Sequence, residues 1–98
     1  MLKIIRRESF REIIICLALE FELSYEKTQV ILQRFKEPKL YARNRRDTII
    51  IWALYHKKNI KEVNQLCAKY GCNPVGRFSK RTEIKFARFI KRIVNEAD

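Results

Sequence analysis

The sequence repeats itself with a period of 35 residues, and this repeat limits the folds that the chain can adopt. Both copies follow the pattern R-(E/D)-x-I-I-x-x-A-L, then a short spacer, and then a Ser or Asn that precedes a second helical segment. Such a repeat predicts a duplicated two-helix unit. The identical pairs are Arg11 and Arg46, Ile14 and Ile49, Ile15 and Ile50, Ala18 and Ala53, and Leu19 and Leu54.

Helix-capping residues support the same division of the chain. Ser9 and Asn59 are each followed three residues later by Glu, which is the spacing of a capping box, and Ser24 and Asn44 are good N-cap residues. Gly71 suits the left-handed position after a helix. The signals predict helices at about residues 10–21, 25–36, 44–56, 60–70 and 80–95.

These segments predict an all-α fold of about five helices, a duplicated helix-turn-helix-like pair plus a basic amphipathic C-terminal helix. A chain of 98 residues with two glycines and two prolines fits a single helical domain at 1–98. The third helix is apolar on nearly every side, which is typical of a central helix, and Trp52 is predicted to lie in the core. We expect repeat 1 at about 9–38, repeat 2 at about 44–75 and the C-terminal helix at about 79–95.

The net charge of +11 is concentrated in one part of the chain. Residues 1–38 carry seven basic and six acidic side chains, a net +1, whereas residues 39–98 carry fifteen basic and five acidic side chains, a net +10. This asymmetry indicates a polyanionic partner, which could be nucleic acid, an acidic protein surface or anionic lipid. The alternative is a solvated basic face that keeps the protein in solution.

The second repeat has features of a DNA-reading helix-turn-helix. Ala53 supplies the small residue where two helices cross, and Val63 and Leu66 supply anchors at the usual spacing. Asn64 and Gln65 would then face outward, where they could pair with adenine. The turn has Lys and Asn where a glycine is common. The alternative is a helical pair with a short connection, as in any small bundle.

The first repeat has the same skeleton with the opposite charge. Glu20, Glu22 and Glu26 would repel phosphates. If one copy binds DNA, we expect it to be the second, where Lys57 and Lys61 take corresponding positions.

The C-terminal helix is predicted to be strongly amphipathic. Its apolar face would contain Phe86, Ala87, Phe89, Ile90, Ile93 and Val94, and its basic face would be exposed. A membrane-surface helix is the alternative, but the same apolar face is needed to close the core. The candidate nucleic-acid- or partner-binding residues of the whole chain are Arg43, Arg45, Arg46, Lys57, Lys58, Lys61, Asn64, Gln65, Lys69, Arg77, Lys80, Arg81, Lys85, Arg88 and Arg92.

No pattern indicates an enzyme, a metal site or a cofactor. His56 is the only histidine, at a helix end, and no Cys or carboxylate stands near it at ligand spacing. Cys16 and Cys67 lie within apolar helical patterns, which favours buried thiols and a cytoplasmic location. No segment is as long as a membrane span.

The segments "FELSYEKTQVIL" and "KLYARNRRDTIIIWALYHKKNIKEVNQL" resemble tandem segments of small Firmicutes and phage helical proteins and of regulators related to the XRE type. The resemblance covers about residues 13–75 and implies a bacterial or phage cytosolic protein with a regulator-like fold. The relatives are often acidic where this chain has Lys57, Lys58 and Lys61. The resemblance therefore implies both that the family fold is not inherently a DNA reader and that this member acquired a polyanionic partner.

The expected function is therefore nucleic-acid binding without catalysis, with duplex DNA favoured and transcriptional regulation as the role. The alternative is a protein-interaction module, such as a phage-encoded inhibitor or adaptor that covers an acidic or nucleic-acid-binding protein surface. A homodimer through residues 1–38 is a further possibility.

Overall fold

The structure is a computed structural model that describes residues 2–76, 84–85 and 87–92, with side chains from residue 10 onwards. The helices are α1 (Leu2–Glu20), α2 (Tyr25–Arg34), α3 (Arg45–His56) and α4 (Ile60–Lys69). The described residues after position 83 are also helical, within the predicted C-terminal helix. The described residues contain no strand, and the predicted all-α fold is confirmed.

The predicted caps are confirmed in three of the four helices. The side chains of Ser24, Asn44 and Asn59 each accept a hydrogen bond from the backbone N–H three residues later. Asn59 forms a complete capping box with Glu62. The cap predicted at Ser9 is wrong, because α1 begins at Leu2 and Ser9 lies inside it. Residues 2–8 contain neither Gly nor Pro, so nothing in the local sequence stops the helix before Ser9.

Each repeat turns from its first helix into its second in the same way. Glu22 and Lys57, which are 35 positions apart, both have a φ of 56°. The residue after each donates its N–H to the carbonyl of Ala18 or Ala53 at 2.9 Å. A left-handed residue followed by this backbone bond is a common way to end a helix. Lys57 therefore supplies the turn geometry without a glycine.

Two crossed ion pairs join the repeats to each other. Arg11 of α1 contacts the Asp47 carboxylate of α3 at 3.0 Å, and Arg46 of α3 binds both oxygens of Glu12 of α1 at 2.6 and 2.8 Å. When residue i contacts j' and j contacts i', the two units are related as in a two-fold dimer. The repeats therefore pack as an internal pseudo-dimer.

Helices α1 and α3 run side by side in the same direction. The crossed ion pairs join the two helices near Arg11 and Arg46, and at their other end Lys57 Nζ donates to the carbonyl of Glu22 at 3.0 Å. Residues 13–19 of α1 are all buried, as are Ile50 and Ala53 of α3. This central pair, flanked by α2 and α4, forms most of the core.

The segment after each second helix is held by equivalent hydrogen bonds. The Nε of Arg11 donates to the carbonyl of Pro38 at 2.8 Å, and the Nε of Arg46 donates to the carbonyl of Asn73 at 2.6 Å. Both acceptors lie 27 residues after their arginine, so the two contacts differ by the 35-residue period. The duplication thus extends from the helices to the side chains that hold the loops.

Candidate nucleic-acid and partner interface

Arg46 was predicted to contact a polyanion, and the structure gives it a different role. Besides its two bonds to Glu12, its guanidinium donates to the carbonyls of Asn73 and Pro74. Although burial alone would lower the pKa of Arg46, the hydrogen bond to Glu12 and its charge raise that pKa overall. The guanidinium of Arg46 thus makes four hydrogen bonds within the chain and links the two repeats.

Asn64 was predicted to face outward and pair with bases, but its side chain is half-buried and bound to the loop after α4. Its side-chain amide donates to the carbonyl of Val75 at 3.0 Å and accepts from the N–H of Val75 at 2.7 Å. Gln29 makes the same two bonds with Leu40 in the first repeat. Val75 and Leu40 are buried, so each amide satisfies backbone groups that water cannot reach.

The anchors of α4 differ from the predicted pair. Ile60, Val63 and Cys67 are buried, whereas Leu66 is half-buried and faces the surface shared with α3. Burial raises the pKa of the Cys67 thiol, although the positive charge of the nearby Arg46 opposes this. Leu66 thus packs partly against the core and partly lines a groove at the surface.

Lys57 and Lys58, at the turn, are already engaged with the protein. Lys57 donates to the Glu22 carbonyl, and Lys58 lies 3.8 Å from Glu62 and 5.7 Å from the centre of the Trp52 ring. Both contacts are at or near the surface, where such pairs are weak. These two lysines can therefore still turn toward an incoming anion.

One side of α4 presents the predicted polar residues to solvent. Lys61, Gln65 and Lys69 follow one another at four-residue spacing, so they lie on one helical face, and all three are exposed. Arg43, before α3, is also exposed, as is Arg45, which donates to the carbonyl of Tyr70 at 3.2 Å. Lys61 and Arg43 have no ion-pair partner within the described part of the chain.

The C-terminal helix adds cations and one core contact. Lys85, Arg88 and Arg92 are exposed, as predicted, and Ile90 is buried. Phe89, predicted on the apolar face, is 53% exposed. Among the described residues of this helix, Ile90 is buried and Ala87 is half-buried. Arg77, Lys80 and Arg81, and the apolar residues Phe86, Ile93 and Val94, lie outside the described residues.

Trp52 was predicted in the core, but it is 38% exposed. It lies on the side of α3 that α1 and α2 do not cover, and its ring contacts the ring of His56, 5.3 Å away. A helix that is apolar all round does not reveal which of its sides remains uncovered, so sequence reasoning missed this surface. Trp52 lines a groove of about 640 Å³ with Arg45, Thr48, Ile49, Leu66 and Tyr70.

Other kinds of site are not visible in the described part of the chain. No group of three or more His, Cys, Asp or Glu side chains there is placed to hold a metal ion. None of its helices has both the length and the apolar character needed to cross a membrane.

No protein-family model matches the sequence, and no curated protein or solved structure matches it either.

Proposed function

We propose that the protein binds nucleic acid, with duplex DNA as the favoured form, through the exposed cations of α4 and the C-terminal helix. The observation that carries the proposal is the exposed row Lys61, Gln65 and Lys69, which corresponds to Glu26, Val30 and Arg34 in the first repeat. A lysine thus replaces a glutamate at an equivalent exposed position. Phosphate contacts of this kind supply most of the affinity of DNA-binding proteins without regard to sequence.

A role in transcriptional regulation, in a bacterial or phage cytoplasm, is part of this proposal. It is supported by the turn between α3 and α4 and by the exposed amide of Gln65, which can pair with adenine. With Asn64 committed to Val75, base discrimination by α4 depends on Gln65 and the lysines beside it. We therefore expect strong electrostatic binding and modest sequence preference.

The test is a fluorescence titration of a labelled duplex of random sequence over a salt series. Affinity should fall by about a thousandfold or more between roughly 50 and 200 mM salt if six to ten phosphates are contacted. The variant Lys61→Glu should weaken binding and reduce the salt slope by about one. Lys36→Glu makes the same charge change on the exposed surface of the first repeat and should leave the slope unchanged.

Two results would overturn the proposal. One is the absence of duplex binding at micromolar protein in low salt. The other is an equal loss of affinity in Lys61→Glu and Lys36→Glu, which would mean that the affinity for DNA depends only on the net charge of the protein. The alternative function, in which the same basic face covers an acidic protein surface, predicts the first of these results.

A further inference from the structure

Equivalent faces of the two repeats are closed in one copy and open in the other. Leu17 of α1 is 1% exposed, whereas its equivalent, Trp52 of α3, is 38% exposed. Ile31 of α2 is also buried, whereas its equivalent, Leu66 of α4, is only half-buried. Among the described residues, this face is therefore buried in the first repeat and partly exposed in the second.

The open face has the shape of a helix-binding groove. Its α3 residues are Arg45, Thr48, Ile49 and Trp52, at relative positions i, i+3, i+4 and i+7, so they form one stripe about 10 Å long. Leu66 of α4 and Tyr70, the residue that follows α4, form the opposite wall, again one turn apart. A groove between two helices with an apolar floor is the usual site for an amphipathic third helix.

The charges around the groove are positive. Arg45 lies at one end, Lys58 lies over the Trp52 ring, and Lys69 lies over the Tyr70 ring at 5.7 Å. A second copy of the chain would bring the same cations and a net charge of +11 against them, which disfavours self-association here. The charge complementarity favours a partner with acidic flanks.

Nucleic-acid bases fit this groove less well than an apolar helix does. Bases bind by stacking on free aromatic faces. The Trp52 ring already contacts His56 and Lys58, and the Tyr70 ring already contacts Lys69. The remaining lining is largely aliphatic, from Ile49 and Leu66.

We infer that the groove between α3 and α4 binds an amphipathic helix of a partner protein, with its apolar stripe against Ile49, Trp52 and Leu66. Acidic residues flanking that stripe pair with Arg45, Lys58 and Lys69. This surface is separate from the exposed row of Lys61 and Gln65, so it goes beyond the proposed binding of nucleic acid.

Trp52 is the only tryptophan of the chain, so its fluorescence reports directly on the groove. The probe is a synthetic peptide of about 18 residues, long enough to form a helix, with Leu at i, i+3, i+4 and i+7 and Glu on its flanks. The control peptide has the same composition in scrambled order. The amphipathic peptide should shift Trp52 emission to shorter wavelength in a saturable way. The affinity of the scrambled peptide should be lower by a factor of about ten or more.

The matched variant is Leu66→Gln, which removes an apolar wall without changing the charge. It should weaken peptide binding about tenfold, as loss of a central anchor does, while the duplex affinity stays unchanged. The melting temperature is measured alongside, because Leu66 is half-buried and also packs against the core. If Leu66→Gln lowers the melting temperature, Tyr70→Ala serves instead, because Tyr70 is about half exposed and its side chain is not in the core.

Three outcomes would overturn this inference, and none depends on duplex binding. The scrambled peptide could bind as tightly, which would reduce the interaction to charge. A single-stranded oligonucleotide could compete with the peptide and lose affinity in Leu66→Gln, which would make the groove a base-binding site. Sedimentation could reveal a dimer that Leu66→Gln dissociates, which would make it a self-association surface.

Discussion

The two repeats share their framework and differ in the surfaces they present. Four features recur 35 residues apart: the N-cap of the second helix, the left-handed turn residue, the arginine bound to loop carbonyls and the amide bound to a buried residue's backbone. The first repeat is closed over Leu17 and carries Glu26, whereas the second is open at Trp52 and carries Lys61. The two repeats are thus two copies of one scaffold that differ in the side chains outside it.

The largest expected difference between the repeats concerns the equivalent positions Leu17 and Trp52. Leu17→Ala should lower the free energy of unfolding by about 2–5 kcal/mol, because it leaves a cavity in a closed core. Trp52→Leu installs the residue of the first repeat and should cost only about 1 kcal/mol, because solvent fills the space at an exposed position. Urea denaturation measures both values. Equal losses would mean that Trp52 is as buried as Leu17 in solution.

The hydrogen bonds of the Gln29 and Asn64 side-chain amides should contribute equally to the stability of the two repeats. Gln29→Ala and Asn64→Ala each leave the buried backbone groups of Leu40 or Val75 without a partner, which costs about 1–3 kcal/mol. Gln65→Ala, one position from Asn64 but exposed, should change the free energy of unfolding by about 0.5 kcal/mol or less. A stable Asn64→Ala variant that loses discrimination between DNA sequences would restore Asn64 as a base-reading residue.

The smallest effect on stability is expected from exchanging charges between the repeats. The double variant Glu26→Lys with Lys61→Glu keeps the net charge at +11 and changes two exposed residues, so stability should change by about 0.5 kcal/mol or less per site. If the second repeat is the interface, duplex affinity should fall as far as in Lys61→Glu alone. Unchanged affinity in the exchanged protein would indicate that either repeat serves as the binding surface.

Local sequence signals predicted the helix ends correctly where the capping residue bonds to a residue a few positions away. Ser24, Asn44 and Asn59 cap their helices by bonds to residues three positions later, and Gly71 has a left-handed φ of 70°. The start of α1 was missed because Ser9 followed by Glu12 also occurs inside helices. A capping pattern predicts a helix end only where the preceding residues stop the helix.

Two residues of the predicted site have structural partners that are distant in sequence. Arg46 meets Glu12 at a separation of 34 residues, and Asn64 meets Val75 at a separation of 11. Nothing within a few positions of either residue distinguishes it from an exposed cation or amide. The 35-residue period held a usable signal, since Arg11 and Gln29 stand at the equivalent places in a repeat with no excess of positive charge.

The sequence by itself determined the helical class, the positions of most helix ends, the duplication and the charge asymmetry, because each depends on residue type, local spacing or composition. Tertiary packing alone decided which polar side chains became structural and which apolar ones stayed at the surface. Residues 49–55 are apolar throughout, yet Ile50 and Ala53 are fully buried while Trp52 borders the open groove. The reason is that burial depends on which neighbouring helix covers each side, and an all-apolar helix offers every side equally.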